Sequence, residues 1–204
     1  IKTAPGQLVI EVAESFSITL NDKTEGYNAE AHYLTAATSG AATGATTIKY
    51  ALEEDAADDE WYDSVEEAVL GRTDVGSTTI YAKATNPNYE NEAKDSAVLT
   101  VTAREITLTG NSDTKTYTGK ELEVTGFTAG AGQLVSGHEV DASAKAAGTD
   151  VGTYPGTITD AKDVKIKDAD GKDVTKNYNI KTAPGQLVIE VAESFSITLN
   201  DKTE

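Results

Sequence analysis

The sequence predicts an all-β chain made of two tandem β-sandwich domains, and three observations carry that reading. Apolar and polar residues alternate with a period of two in short runs rich in Thr, Val, Ile and Tyr. Gly, Asn and Asp punctuate the runs, as turn chemistry requires. Residues 1–25, IKTAPGQLVIEVAESFSITLNDKTE, also reappear letter for letter as residues 180–204, so the period is 179 residues. Identity across loops and strands alike exceeds what a shared fold demands, and it points to duplication of a whole cassette. A period so far above the roughly 20–50 residues of solenoid repeats means that each cassette holds complete domains, arranged as beads on a string.

The first domain is expected over about residues 15–103. Its strand signals are Phe16-Ser17-Ile18-Thr19-Leu20, Thr79-Ile80-Tyr81-Ala82 and Val98-Leu99-Thr100-Val101. The second is expected over 104–192, from Ile106-Thr107-Leu108, Leu122-Glu123-Val124, Val164-Lys165-Ile166 and Leu187-Val188-Ile189-Glu190-Val191. Residues 1–14 then read as the C-terminal strand of a preceding copy, and 193–204 as the first strand of the next. The connections Thr102-Ala103-Arg104 and Val191-Ala192-Glu193 lack Gly and Pro and are very short, so consecutive domains are expected to be stiffly related.

The halves echo each other. Phe16-Ser-Ile-Thr-Leu matches Glu105-Ile-Thr-Leu, Thr73-Asp-Val-Gly matches Thr149-Asp-Val-Gly, and Asn86-Pro-Asn-Tyr89 matches Thr175-Lys-Asn-Tyr178. Each Thr-Asp-Val-Gly reads as a turn before a strand, with Gly supplying a positive φ. Tyr89 and Tyr178 read as rings that bury themselves and reach backbone with their hydroxyls, in the manner of a tyrosine corner. Between these signals, Asp63-Ser64-Val65-Glu66-Glu67-Ala68-Val69-Leu70-Gly71 has the Ser-x-x-Glu start, apolar spacing and closing Gly of one short helix in the first domain.

Charge and composition exclude several functions. Lys plus Arg number 17 against 34 Asp plus Glu, a formal charge of −17, so long-range repulsion opposes nucleic acid and other polyanions as partners. The absence of Cys removes disulfides and thiolate chemistry, and no apolar run approaches the length of a membrane span. His32 and His138 occupy non-equivalent places and have no Ser or second His at ligand or triad spacing, and GxSxG, phosphate-loop and HExxH motifs are absent. The chain is therefore read as no enzyme.

Two sets of residues invite a ligand. Asp168, Asp170 and Asp173 have the alternate-carboxylate spacing that opens a calcium loop, but its twelfth position falls on Asn179 rather than Glu. A hairpin turn around Asp170-Gly171 is favoured, with Ca²⁺ as the alternative and no other cofactor expected. Trp61, Tyr62 and Tyr33 are the aromatics that would stack on a glycan if exposed. The acidic stretch Glu53-Glu54-Asp55 and Asp58-Asp59-Glu60 reads as a solvated loop.

Lys115-Thr-Tyr-Thr-Gly-Lys-Glu-Leu-Glu-Val-Thr-Gly-Phe127, Thr149-Asp-Val-Gly-Thr-Tyr154 and Asn177-Tyr-Asn-Ile-Lys-Thr-Ala-Pro-Gly-Gln-Leu-Val-Ile189 resemble the MBG or YDG-type repeats of bacterial surface proteins. Residues Thr47-Ile-Lys-Tyr50, Thr73-Asp-Val-Gly76 and Asn86-Pro-Asn-Tyr89 resemble the bacterial Ig-like domains that alternate with them. Thr118 stands where that family often has Asp, and the acidic segment 53–71 is longer than the hairpin expected there. The resemblance implies two tandem Ig-like β-sandwich domains, with a mixed β-grasp as the alternative. It also implies the stalk of a secreted or cell-wall-anchored adhesin of a Gram-positive type bacterium, with an extracellular location and no membrane insertion in this segment. Its partners would be neighbouring repeats of the same chain and a host glycan, mucin or matrix-protein receptor. Lys to Asn isopeptide crosslinks occur in such adhesins. Because each terminal segment has a twin inside a complete domain, the terminal copies are expected to fray or to join neighbouring molecules as added or swapped strands.

Overall fold

The computed structural model describes Gly6, residues 10–40 and residues 42–193. The expected strand at 193–204 lies outside them except for Glu193, and the segment 1–14 is described only at Gly6 and 10–14. The chain divides between Ala103 and Arg104 into two compact units.

Unit 1 contains β1 (Ile18–Thr19), β2 (Lys23–Gly26), β3 (Thr38–Ser39), β4 (Thr47–Ala51), β5 (Gly76–Thr85) and β6 (Ala93–Thr102). One sheet has the order β2-β6-β5-β4, and β1 pairs with β3 in a second. β5 and β6 pair antiparallel from Gly76 opposite Val101 to Ala84 opposite Ala93. Their alternation buries Ile80, Ala82, Ala84, Ala97, Leu99 and Val101. Ile18, Leu20, Leu34, Val65 and Leu70 close over that face to form the core.

Unit 2 contains β7 (Arg104–Gly110), β8 (Asp113–Thr116), β9 (Leu122–Thr125), β10 (Phe127–Ala129), β11 (Glu139–Asp141), β12 (Ala144–Gly148), β13 (Gly152–Pro155), β14 (Thr157–Ile158), β15 (Lys165–Lys167), β16 (Tyr178–Ala183) and β17 (Gln186–Glu190). Its sheets run β10-β7-β16, β14-β12-β9, β13-β17-β8 and β11-β15. Ala146 of β12 packs on Leu187 and Ile189 of β17, with Leu122, Val124 and Tyr154 at the margin. Two sheets thus face each other as layers. Ile106, Leu108, Val164, Ile166 and Val174 are buried elsewhere in the unit. Both units are all-β, of sandwich type.

In each unit the first and last strands run parallel, side by side. In unit 2, Arg104 to Thr109 face Tyr178 to Ala183. After a break the pairing resumes with Asp113 to Thr116 facing Leu187 to Glu190, at the same sequence offset. The pairs are therefore halves of two long strands interrupted at one place. In unit 1, Ala13 faces Tyr89 and Lys23 to Gly26 face Leu99 to Thr102, again at one offset. Where the backbone pairing lapses between them, carboxylates bridge the gap. The Leu20 amide donates to Asp95 Oδ2 at 2.8 Å, and the Val98 amide donates to Asp22 Oδ1 at 2.7 Å.

Two sequence expectations are corrected. The short helix over 63–71 is instead a loop containing one 3₁₀ turn, Ala68–Leu70, and a second such turn lies at Asp58–Glu60. Only Val65 and Leu70 reach the core while Val69 is 47% exposed, and a five-residue spacing is no helical period. The mixed β-grasp needs a helix across a sheet, and the described residues hold only three 3₁₀ turns.

The repeat places one residue in two environments. A Cβ on Gly185 would lie 2.1 Å from the Asn111 carbonyl oxygen, whereas one on its twin Gly6 would meet nothing within 4 Å. Gly185→Ala is expected to lower stability by about 1–3 kcal/mol through forced backbone displacement. Gly6→Ala should stay within about 0.5 kcal/mol of wild type. Urea unfolding of the two variants checks the difference.

Candidate functional site

Unit 1 holds a groove of about 830 Å³ whose walls include Lys23, His32, Tyr33, Tyr50, Asp63 and Glu66. Strand β4 places Tyr50, whose buried hydroxyl accepts the Ala37 amide at 2.9 Å. Lys23 on β2 donates to the Tyr33 carbonyl at 3.1 Å and pairs with Glu25 at 3.4 Å. His32 is fixed by reciprocal backbone bonds with Arg72, both 2.9 Å. The Arg72 guanidinium donates to Thr78 Oγ1 and to the Val75 carbonyl. His32 Nε2 and Arg72 Nε are buried with no hydrogen-bond partner among the described residues. The Tyr33 ring lies against Gly71, where a Cβ would meet its Cε1 at 2.5 Å. Tyr33, Asp63 and Glu66 bring an aromatic ring and two carboxylates to the groove wall.

The three aromatics singled out in the sequence have different fates. Trp61 is only 7% exposed, and its Nε1 donates to the Ala56 carbonyl at 3.0 Å. Lys83 Nζ stands 4.3 Å from the Trp61 ring centroid, a cation–π contact, and 4.0 Å from Asp58 Oδ1. Tyr62 exchanges backbone bonds with Tyr50 and packs on the core. Tyr33 is the one of the three that lines the groove. The acidic residues 53–55 and 58–60 are exposed.

Asp168, Asp170 and Asp173 lie in a tight hairpin closed by a bridge between Lys167 and Asp173, with Gly171 at φ +80°. Asp168 Oδ1 accepts the Asp170 and Lys172 amides at 3.1 and 2.9 Å. Asp173 Oδ1 accepts the Thr175 amide at 2.9 Å. Bonds to Thr175 lower the Asp173 carboxyl below its ordinary value. Asp168 and Asp173 each use a carboxylate oxygen to fasten the turn, and no cluster of three His, Cys, Asp or Glu among the described residues is placed to hold a metal ion.

The tyrosines match across the units. Tyr89 Oη accepts the Thr43 amide at 3.2 Å, and Tyr178 Oη accepts the Val135 amide at 3.2 Å. Tyr178 also meets His138 Nδ1 at 2.8 Å. Burial pushes the His138 imidazole below its ordinary value, against a smaller opposing pull from Asp168. Asn86 and Asn177 are the buried polar residues of the described chain, and no lysine is buried with them as an isopeptide crosslink requires.

The paired strands of unit 2 carry an ion pair that sequence reading did not single out. Lys181 Nζ lies 2.9 Å from Glu105 Oε2, and Asn179 donates to Glu105 Oε1. Lys181 first, and Asn179 second, hold the Glu105 carboxyl below its ordinary value of 4.5. On β9 and β12, Lys145 does the same for Glu123 at 2.5 Å. No pattern within one strand marks such pairs, since the partners meet only once register is known.

The chain matches no known family profile and no curated protein. Among solved structures it is similar to the fibronectin(III)-like modules of Clostridium thermocellum CbhA, at 11% identity, 90% of this chain, 100% of that chain and a TM-score of 0.26. A Dscam structure matches at 14% identity and a TM-score of 0.28, with 87% of this chain spanning 47% of that one. A SusE-like, surface-located polysaccharide-binding protein of Bacteroides thetaiotaomicron matches at 15% identity, 87% of this chain, 34% of that chain and a TM-score of 0.25. Scores this low give the likenesses no weight for function, and the fold rests on the strand pairing described above. No helix among the described residues is long and apolar enough to cross a membrane.

Because Glu105 is held below its ordinary value, the stability it supplies is complete above about pH 4.5 and is lost as pH falls through its lower folded value. Glu105→Gln is therefore expected to be less stable than wild type at neutral pH and to converge with it in acid. Urea midpoints taken from neutral pH to about pH 3 measure this, and added salt should shrink the neutral-pH difference.

Proposed function

We propose that the chain is part of the non-catalytic tandem-repeat stalk of a bacterial surface adhesin, extracellular, and that its units bear tension while projecting a distal binding region. The parallel pairing of first and last strands in each unit is the observation that carries this reading. Pulling a unit by its ends draws two parallel neighbours in opposite directions along their length. Every hydrogen bond between them is then loaded together in shear, rather than one after another as in unzipping. Asp22 and Asp95 extend the loaded interface of unit 1 across the gap in its backbone pairing. The letter-for-letter repeat supports the same reading, because duplicated cassettes lengthen a stalk without altering its units. The resemblance to MBG/YDG-type and bacterial Ig-like repeats supports it as well.

Single-molecule stretching tests the proposal. Asp95→Ala should lower the unfolding force of unit 1 and its equilibrium stability by about 1–2 kcal/mol, the worth of charge-assisted bonds at a partly buried site. Unfolding at forces no higher than those of an unzipped hairpin would overturn it.

The groove of unit 1 favours a second reading, in which the repeats themselves bind a host glycan, mucin or matrix protein. Tyr33, Asp63 and Glu66 would supply the ring and acceptors. Under that reading Tyr33→Ala abolishes retention on a panel of immobilised neutral and amino sugars while Val69→Ala, on the exposed turn, retains it. No retention of wild type on that panel or on mucin removes it.

A further inference from the structure

We propose that the loop 130–138 is a pH-sensitive clasp on the parallel strand pair of unit 2, closed while the His138 imidazole is neutral and released when it takes up a proton. The clasp is independent of the stalk reading, because it is read in folding stability rather than in force. The loop connects β10 to β11 and holds the opening residues of both paired strands. Arg104, which begins β7, donates from Nε to the Gln133 carbonyl at 2.8 Å and from its guanidinium to the Gly132 carbonyl. Tyr178, which begins β16 and faces Arg104 in the register, is held by the Val135 amide at 3.2 Å and by His138 Nδ1 at 2.8 Å. Two more bonds seat the loop on β7: the Thr107 amide donates to Gln133 Oε1 at 2.7 Å, and the Gly130 amide donates to the Thr107 carbonyl at 3.0 Å.

The Tyr178 hydroxyl oxygen already accepts the Val135 amide, so its proton goes to His138 Nδ1, and that nitrogen must carry a lone pair. A neutral ring with its proton on Nε2 meets the need. A protonated ring bears hydrogens on both nitrogens, so a donor would face a donor, and the phenol would have to accept twice and turn its own proton away. Burial opposes the charged ring in the same sense, against a smaller opposing pull from Asp168. A Cβ on Gly137 would lie 3.9 Å from the Ala169 Cβ, which places the hairpin of Asp168, Asp170 and Asp173 against the clasp. The other charged groups of the surrounding elements are Arg104 on β7, Lys176 in the turn before β16, and Glu139 on β11 with its register partner Lys167 on β15. With the imidazole held below its ordinary 6.5 in the folded unit, the stability it supplies is complete above about pH 6.5 and is lost as pH falls through the lower folded value. Unit 1 is the internal control: the Tyr89 hydroxyl accepts the Thr43 amide and its ring packs on Phe16 at 4.9 Å, and neither contact titrates.

The chain's single Trp lies in unit 1, so Trp61 fluorescence follows that unit, while the backbone amide NMR signals of residues 178–183 follow unit 2 in the same full chain. Urea unfolding at about pH 7.5 and about pH 5.5 brackets the imidazole and leaves Glu105, held below 4.5, ionised. The expected result is that the folding constant of unit 2 falls in acid by about two- to tenfold relative to that of unit 1. His138→Gln keeps an acceptor but cannot take up the proton, and it should remove that relative loss. Tyr178→Phe keeps the ring and should shrink the acid response as well as the stability, whereas loss of a merely structural hydroxyl would lower stability equally at both pH values. Ring-nitrogen NMR shifts should show His138 with its proton on Nε2 at the higher pH. A proton on Nδ1 at that pH, an equal acid response in both units, or an acid response of unit 2 that survives His138→Gln in folded protein would each overturn the proposal.

Discussion

Parallel pairing between the first and last strands is the constraint on which the rest of each unit depends. It brings the two ends of a unit onto neighbouring tracks, so one interface both completes the sheet and connects the unit to the chain on either side. It also explains features that look unrelated along the sequence. Gly185 is required because the second track passes within contact of the Gly110 and Asn111 backbone. Asp22 and Asp95 are required because the first strand of unit 1 leaves its partner to pair with β3 before returning.

The layers above this interface are thin. Ala82, Ala84, Ala93 and Ala97 furnish much of the inner face of β5 and β6, and large buried side chains such as Ile80, Leu99 and Leu70 are few. Small side chains bury little apolar area each, so a unit of this size has limited core stabilisation. Backbone pairing and side-chain to backbone closures, such as the hydroxyls of Tyr89 and Tyr178, therefore carry a larger share of the specification.

Much of this architecture was legible in the residues. Alternation located β5, β6, β7, β9 and β17, because half-buried strands must alternate. Tyr89 and Tyr178 announced their role because an aromatic with a hydroxyl beside a final strand has a ring to bury and a bond to satisfy. Strand β12, Ala-Lys-Ala-Ala-Gly, was silent, since alanine favours helix and only tertiary crowding makes it a strand. Gly156, where a Cβ would stand 3.3 Å from the Ala146 Cβ, shows that crowding. The Val65 to Leu70 segment misled because its apolar residues fit a helical period although only its two ends are anchored. The groove was half legible: Tyr33 was marked by its ring, but the convergence of Lys23, His32 and Asp63 depends on strand order, which no local pattern encodes.

The same long-range pairing sets the time at which a unit can fold. Arg104 waits for Tyr178, and Lys23 waits for Leu99, so the decisive contacts have large sequence separation and each unit has a high contact order. A chain emerging from one end first, from a ribosome or through any narrow passage, lacks the partner of its opening strand until almost the whole unit has come out. Partial units gain little from collapsing early, because the sheet they would join has no final track. Neither unit can therefore complete its sheet until its last strand arrives.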